Sequence, residues 1–195
     1  MVGGSAPADQ TVRTGNNGTL TATARLDFAI TIDKFLFFRV GTGAFPTASS
    51  TIDTVAFDLS ASIPAAGVAP VPGNSTAVDW SGALPSFSAG TTTVLPVQVR
   101  ANAGAVTLQA SPTTPLTSGA HTLPMSHIVV TSSDANLPAP PIPDTGTGTA
   151  VSVTGTAFSN LVTNRSAQWT FAYAGTATPH AGVYAGQVTF TASAP

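Results

Sequence analysis

From Leu20 onward the chain alternates. Leu20, Ala22, Ala24, Leu26, Phe28, Ile30 and Ile32 fall on one parity, and Thr19, Thr21, Thr23, Arg25, Asp27 and Thr31 fall on the other. Period-2 alternation of this length predicts a long strand with one face buried. The pattern breaks at Asp33 and Lys34. Phe35 and Phe37 then occupy the formerly polar parity, while Leu36, Phe38 and Val40 keep the apolar one. A strand apolar on both sides is covered on both faces, or a bulge or bend has re-aimed it. Phe35 and Phe37, with Leu20, Leu26, Phe28 and Ile30, are therefore candidate contacts, either to a second layer of the same domain or to a neighbouring subunit.

Further strands follow, separated by turn residues. Residues 52–63 alternate through Val55, Phe57, Leu59 and Ala61 and stop at Pro64; residues 64–76 form a Pro/Gly-rich loop. Trp80 lies in a short strand before the Leu84-Pro85 break. Val94 to Arg100 reads as a strand whose Pro96 suggests an edge or a bulge. The ANAG at 101–104 reads as a tight turn into Val106, Leu108 and Ala110, hence a hairpin. Residues 121–132 give a strand around Ile128 to Val130, and LPAPPIPD at 137–144 reads as an extended, polyproline-like crossing. Three strands close the chain: Val151 to Phe158, Trp169 to Tyr173 and Tyr184 to Ala192. Many short strands without a convincing helical window predict an antiparallel Greek-key β-sandwich of immunoglobulin or pilin type, with a closed β-barrel as the alternative. The expected organisation is a flexible N-terminal arm over residues 1–18 and a single sandwich domain over 19–195.

Composition sharpens this picture. Charged residues make up 7% of the chain, there is no Glu, and Lys34 is the one lysine. That excludes a polybasic footprint for nucleic acid or anionic lipid. Thr takes the places Lys and Glu usually fill, and its branched side chain suits a pleated strand facing water. A chain with so little self-repulsion tolerates assembly, or placement in an extracellular matrix. The absence of cysteine removes disulfides and thiol-based metal sites or nucleophiles. MVGGSAPADQ lacks the basic and apolar regions of a signal peptide, so export would follow removal of one not present in this chain. No apolar run reaches the length of a membrane span, and no membrane insertion is expected.

Candidate chemistry is sparse. No nucleophile elbow, zinc-protease, P-loop, dinucleotide-binding or EF-hand pattern occurs. An enzyme is not expected, and neither are a cofactor or a metal. His121 and His127, on one extended strand, would sit too far apart to share a metal; a fold-back at Pro124 leaves a site with His180 open. Asp79 beside Trp80 has the form of a glycan contact, an aromatic face next to a carboxylate, although such a Trp is more often core. Lys34 in a Phe-rich strand invites an isopeptide link to Asn160 or Asn164, with Asp27 or Asp58 as the acid. The simpler expectation is that Lys34 snorkels into water. Arg25 and Asp27 share the solvent parity and read as a cross-strand surface pair.

The last segment, AGVYAGQVTFTASAP, carries a family likeness. Gly182 and Gly186 flank Tyr184, and Val188 and Phe190 continue its parity. This ending resembles the final strand of exported bacterial β-sandwich subunits: spore-coat-U-like proteins, archaic chaperone–usher pilins and WxL-like surface domains. SAQWTFAYAGTATPHAGVY and VTLQASPTTPLTSGAHTLPMSHIVVTSS extend the likeness over about half the chain, from about Val97. The resemblance implies a structural subunit of a bacterial filament, pilus or surface layer, at the cell surface or secreted, with copies of itself or other surface subunits as partners. In pilins the N-terminal extension of one subunit completes the sheet of the next. Here residues 2–18 offer only Val2 and Val12 as large apolar residues. The donor is then residues 20–32, or the sandwich is self-sufficient. A secreted carbohydrate-binding sandwich using Asp79 and Trp80 is the alternative function.

Overall fold

The computed structural model describes residues 9–43, 50–62, 86–89, 91–175 and 179–195. The chain divides into two units, Met1–Asp33 and Lys34–Pro195, called arm and body below. The division falls where the one-sided alternation stops.

Among the described residues the body has ten strands: β1 (Leu36–Val40), β2 (Leu59–Ser62), β3 (Ser86–Ala89), β4 (Thr93–Ala101), β5 (Val106–Ser118), β6 (His121–Leu123), β7 (Ile128–Ser132), β8 (Val151–Val153), β9 (Thr163–Tyr173) and β10 (Ala185–Ser193). A short 3-10 turn occupies Met125–His127. Among the described residues no helix is long and apolar enough to cross a membrane. The first sheet runs β1-β4-β9-β7; the second runs β10-β5-β6, with β8 also on β5; β2 and β3 pair apart. Every pairing among the described residues is antiparallel.

The two larger sheets bury a shared core and do not close into a barrel. Val97, Val99 and Ala101 of β4 and Ala167, Trp169 and Phe171 of β9 meet Val106 and Leu108 of β5 and Val153 of β8. Each set lies on one parity of its strand, which is why these stretches fold as half-buried strands rather than helices. Trp169 is fully buried. Its ring meets Phe38 of β1 at 6.5 Å and Phe190 of β10 at 5.3 Å, and its Nε1–H donates to the Leu137 carbonyl at 3.4 Å. The architecture is thus an antiparallel β-sandwich. Its first sheet has the order A-B-E-D of an immunoglobulin-type fold, and β5 and β10 stand as C and F. Among the described residues no strand takes the place of G, beside β10.

Several expectations need correction. The strand predicted over Leu20 to Ile32 forms no ladder, and its residues are exposed on both parities. Alternation specifies a face; it does not supply a neighbour. Pro96 does not mark an edge, since β4 lies between β1 and β9. The Gly41 N–H donates to the Pro96 carbonyl at 2.9 Å, so Pro96 directs its peptide groups toward the last residues of β1. Its missing N–H therefore costs one bond at a strand end and none in the β4–β9 ladder.

The ANAG turn is tight, with Gly104 at φ 109°, but it makes no hairpin. It carries the chain from β4 in one sheet to β5 in the other. Of the strand expected over 52–63, Leu59–Ser62 forms a ladder. The residues before it alternate in burial while crossing one end of the sandwich, where Asp53 accepts a hydrogen bond from the Thr42 hydroxyl and Phe57 meets Tyr173 at 6.3 Å. The strand expected from Val151 ends at Val153. The 64–76 loop, the Trp80 strand and the Leu84-Pro85 break lie outside the described residues.

Because Trp169 touches both sheets and the crossing at Leu137, Trp169→Ala should lower unfolding free energy by about 3–5 kcal/mol in denaturant titration. A loss below 1 kcal/mol would mean that the core does not close on this ring.

Candidate functional site

The two long sides of the sandwich differ. On one side the chain crosses from β7 to β8 and plugs the gap between sheets, burying Leu137, Pro140 and Ile142. Ser111 Oγ donates to the Gly146 carbonyl at 2.8 Å and the Gly148 N–H to the Ala110 carbonyl at 2.8 Å, which tie this crossing to β5. The other side is bounded by β1 and β10, each at the end of its sheet. Phe38 and Val40 of β1 and Phe190 and Ala192 of β10 pack on the core yet remain half-buried. The cleft between these two edges is thus the flank where apolar side chains are only partly covered, although β1 and β10 still approach each other across it.

The backbone of β10 is offered to that cleft. Since Gly148 bonds Ala110 from the side away from β10, the peptide groups of Leu108 and Ala110 face away from β10. Peptide direction alternates in an antiparallel ladder. Their partners Ala192 and Phe190 accordingly direct N–H and C=O outward, and Val188 follows by parity. The residues that point side chains into the cleft thus also present unpaired backbone groups at its rim. β1 is arranged alike: the Asn102 N–H donates to the Phe35 carbonyl at 3.3 Å and Gly41 to Pro96, leaving the peptide groups of Leu36, Phe38 and Val40 outward. Edge strands are ordinarily blunted with charge. From Ser166 to Pro195 there is no Asp, Glu, Lys or Arg. That charge-free run was the signal for this edge in the sequence, and strand periodicity alone passed over it.

The arm has exposed apolar residues of its own. A bend at Asn16–Gly18 turns it back on itself, and the Arg25 guanidinium meets the Asp9 carboxylate at 3.0 Å. Arg25 thus pairs with Asp9 rather than standing as a cross-strand partner of Asp27, and an ion pair so exposed contributes little stability. Beyond it the apolar parity lies open to water: Leu26 is 74% exposed, Phe28 and Ile30 85%, and Ile32 76%. Leu20 is exposed as well.

The remaining candidates separate. Phe35 is half-exposed at the start of the body and its N–H donates to the Asn102 side chain at 2.8 Å. Phe37 is half-buried on the outer face of its sheet, opposite Arg100. Asp79 and Trp80 lie outside the described residues. Lys34 is exposed, and its ammonium donates to the Pro195 oxygen at 3.3 Å; it lacks the desolvation an isopeptide bond requires. His121 is not isolated: its ring stacks on that of His180 at 4.0 Å, a pairing that no sequence spacing announces. His127 turns instead toward Tyr173, Nδ1 lying 3.3 Å from the phenol oxygen. Burial, and then Tyr184, push the Tyr173 phenol above its ordinary pKa. Among the described residues no cluster of three His, Cys, Asp or Glu is placed to hold a metal ion.

One turn at the Pro195 end stands out. Phe158, Ser159 and Asn160 take φ of 49°, 54° and 71°, the left-handed region that costs about 1–2 kcal/mol for each residue with a Cβ. The Ala157–Val162 bridge closes the turn, and the Gly104 N–H holds the Leu161 carbonyl at 3.1 Å. Phe158 is 78% and Leu161 57% exposed.

Comparisons of the chain with protein-family models, with curated proteins and with solved structures find no match.

The backbone geometry sets an expected exchange pattern. In dilute protein the amides of Val188, Phe190 and Ala192 should exchange with deuterium faster than those of Thr189 and Thr191, which face β5. Equal protection along β10, read residue by residue, would show that its outer edge is covered.

Proposed function

We propose that this protein is a structural subunit that polymerises by strand complementation. The arm of one copy, residues 20–32, lies along β10 of another and fills the cleft between β10 and β1. The observation that carries this reading is the match between an arm with one apolar parity in water and an edge whose inward side chains and outward peptide groups belong to the same residues. Such a strand satisfies both at once, with backbone bonds along the rim and side chains in the cleft. It also takes the position that the seventh strand fills in a complete immunoglobulin-type sandwich.

The scale is adequate. β10 has nine residues, about 30 Å, and residues 20–32 span about 43 Å when extended. Each of Leu26, Phe28, Ile30 and Ile32 gains about 1.5–3 kcal/mol on full burial, before the cost of ordering the arm. Low charge on both partners removes the repulsion that would oppose stacking many copies. Together with the likeness of the final strand to exported pilin-type subunits, this supports a filament or surface layer outside a bacterial cell. It gives no role to a cofactor and no reaction to catalyse.

Phe28→Asp with Ile30→Asp should abolish filaments in negative-stain microscopy while leaving the unfolding midpoint of the body unchanged. A synthetic peptide of residues 19–33, added to that variant, should raise its midpoint by several degrees. Filaments formed by the variant, or a peptide without effect, would remove the strand-complementation reading.

A further inference from the structure

The direction of the strands adds a contact that the pairing alone does not name. β10 runs from Ala185, beside the Ser118 end of β5, to Ser193, beside Thr107. Lys34, which opens the body, lies at the Pro195 end, and so does the left-handed turn, whose Leu161 carbonyl accepts from Gly104. A strand that completes the sandwich beside β10 runs antiparallel to it. Its last residue, Ile32, then reaches the Ala185 end of the acceptor. One residue, Asp33, separates Ile32 from the donor's own body. So short a tether holds the Pro195 end of the donor against the Ala185 end of the acceptor.

The two ends carry matching apolar features. On the donor, Phe158 and Leu161 project from a turn held in a rarely populated backbone conformation, and such strain gathers at places with a task. On the acceptor, Val183 is 88% exposed beside Tyr184, whose hydroxyl donates to the His180 carbonyl at 3.0 Å. We infer that the Phe158–Leu161 turn of one copy seats on the Val183–Tyr184 segment of the next, so that a second interface between bodies accompanies the strand. This rests on the strand-complementation reading and commits it to one polarity, head to tail, with a second copy of this chain as the occupant.

The chain contains no cysteine, so thiols can be placed one at a time. L161C and V183C chains, assembled together and treated with a short bismaleimide, should give mixed dimers. A single chain carrying both substitutions should give a ladder of covalent oligomers. F158S with L161S should raise the concentration needed for assembly at least tenfold, with the affinity of the 19–33 peptide for the body unchanged. Links between L161C chains alone would mean parallel pairing and would overturn the inference. Filaments that bind peptide normally yet give no 161–183 link would overturn it too, and would leave the strand reading standing. If neither filaments nor peptide binding is found, the strand reading falls and takes this contact with it.

Discussion

The packing of Trp169 is the constraint on which the rest of this sandwich depends. The indole lies at the middle of the first sheet and reaches three other parts of the chain: Phe38 at one edge, Phe190 at the edge opposite, and the Leu137 carbonyl on the crossing that closes the far side. A large aromatic ring buried between two sheets sets their separation, and its single donor needs a partner once water is gone. The same ring sits beneath the cleft. Phe38 and Phe190, which cover it from either side, stay half-buried. The core is thus complete at its centre and thin along one flank, and the asymmetry comes from where the covering strands end rather than from a shortage of apolar residues.

How much of this was legible in the sequence depends on what alternation encodes. Parity located the inward faces of β4, β5, β9 and β10, and with them the sandwich. It said nothing about neighbours. The same pattern in Leu20 to Ile32 read as a buried strand, yet the segment joins no ladder among the described residues and keeps its apolar parity in water. The ANAG turn misled for a related reason. A tight turn reverses the chain equally well within a sheet or between two, and what separates the cases is the long-range register of β4 on β1 and β9. Pro96 was judged by a rule about donors, but the rule acts on one side of a strand, and here that side lies at the end of β1. The sequence left a meeting of His121 with His180 open only through a fold-back at Pro124; the stacking itself joins the start of β6 to a segment far along the chain, which spacing does not encode.

The charge pattern links fold and proposed role. Aggregation along exposed edges is ordinarily prevented by charged residues, proline or covering loops. This chain places prolines in β4 and β5 and a crossing over one flank, but leaves β10 without charge. An edge kept clean in this way is a hazard for a protein meant to stay alone and an asset for one that takes up a strand. The arm has the converse character: polar and threonine-rich on one parity, it remains solvated while its apolar parity is unsatisfied.

The coincidence on β10 between inward side chains and outward peptide groups carries one more consequence. A strand docked there can shift along the edge only in steps of two residues, about 7 Å, because a slip of one turns threonines into the cleft and breaks the ladder. The arm offers seven apolar positions in a row on one parity, more than β10 can seat at once, so more than one register keeps apolar residues inward. In the proposed assembly the selection would fall to the chain's own body, which begins one residue beyond Ile32, after Asp33, and would act as a mechanical stop. The repeat distance of the assembly would then be limited by collision of the bodies as well as by the placing of the large residues Leu26 to Ile32 within the arm.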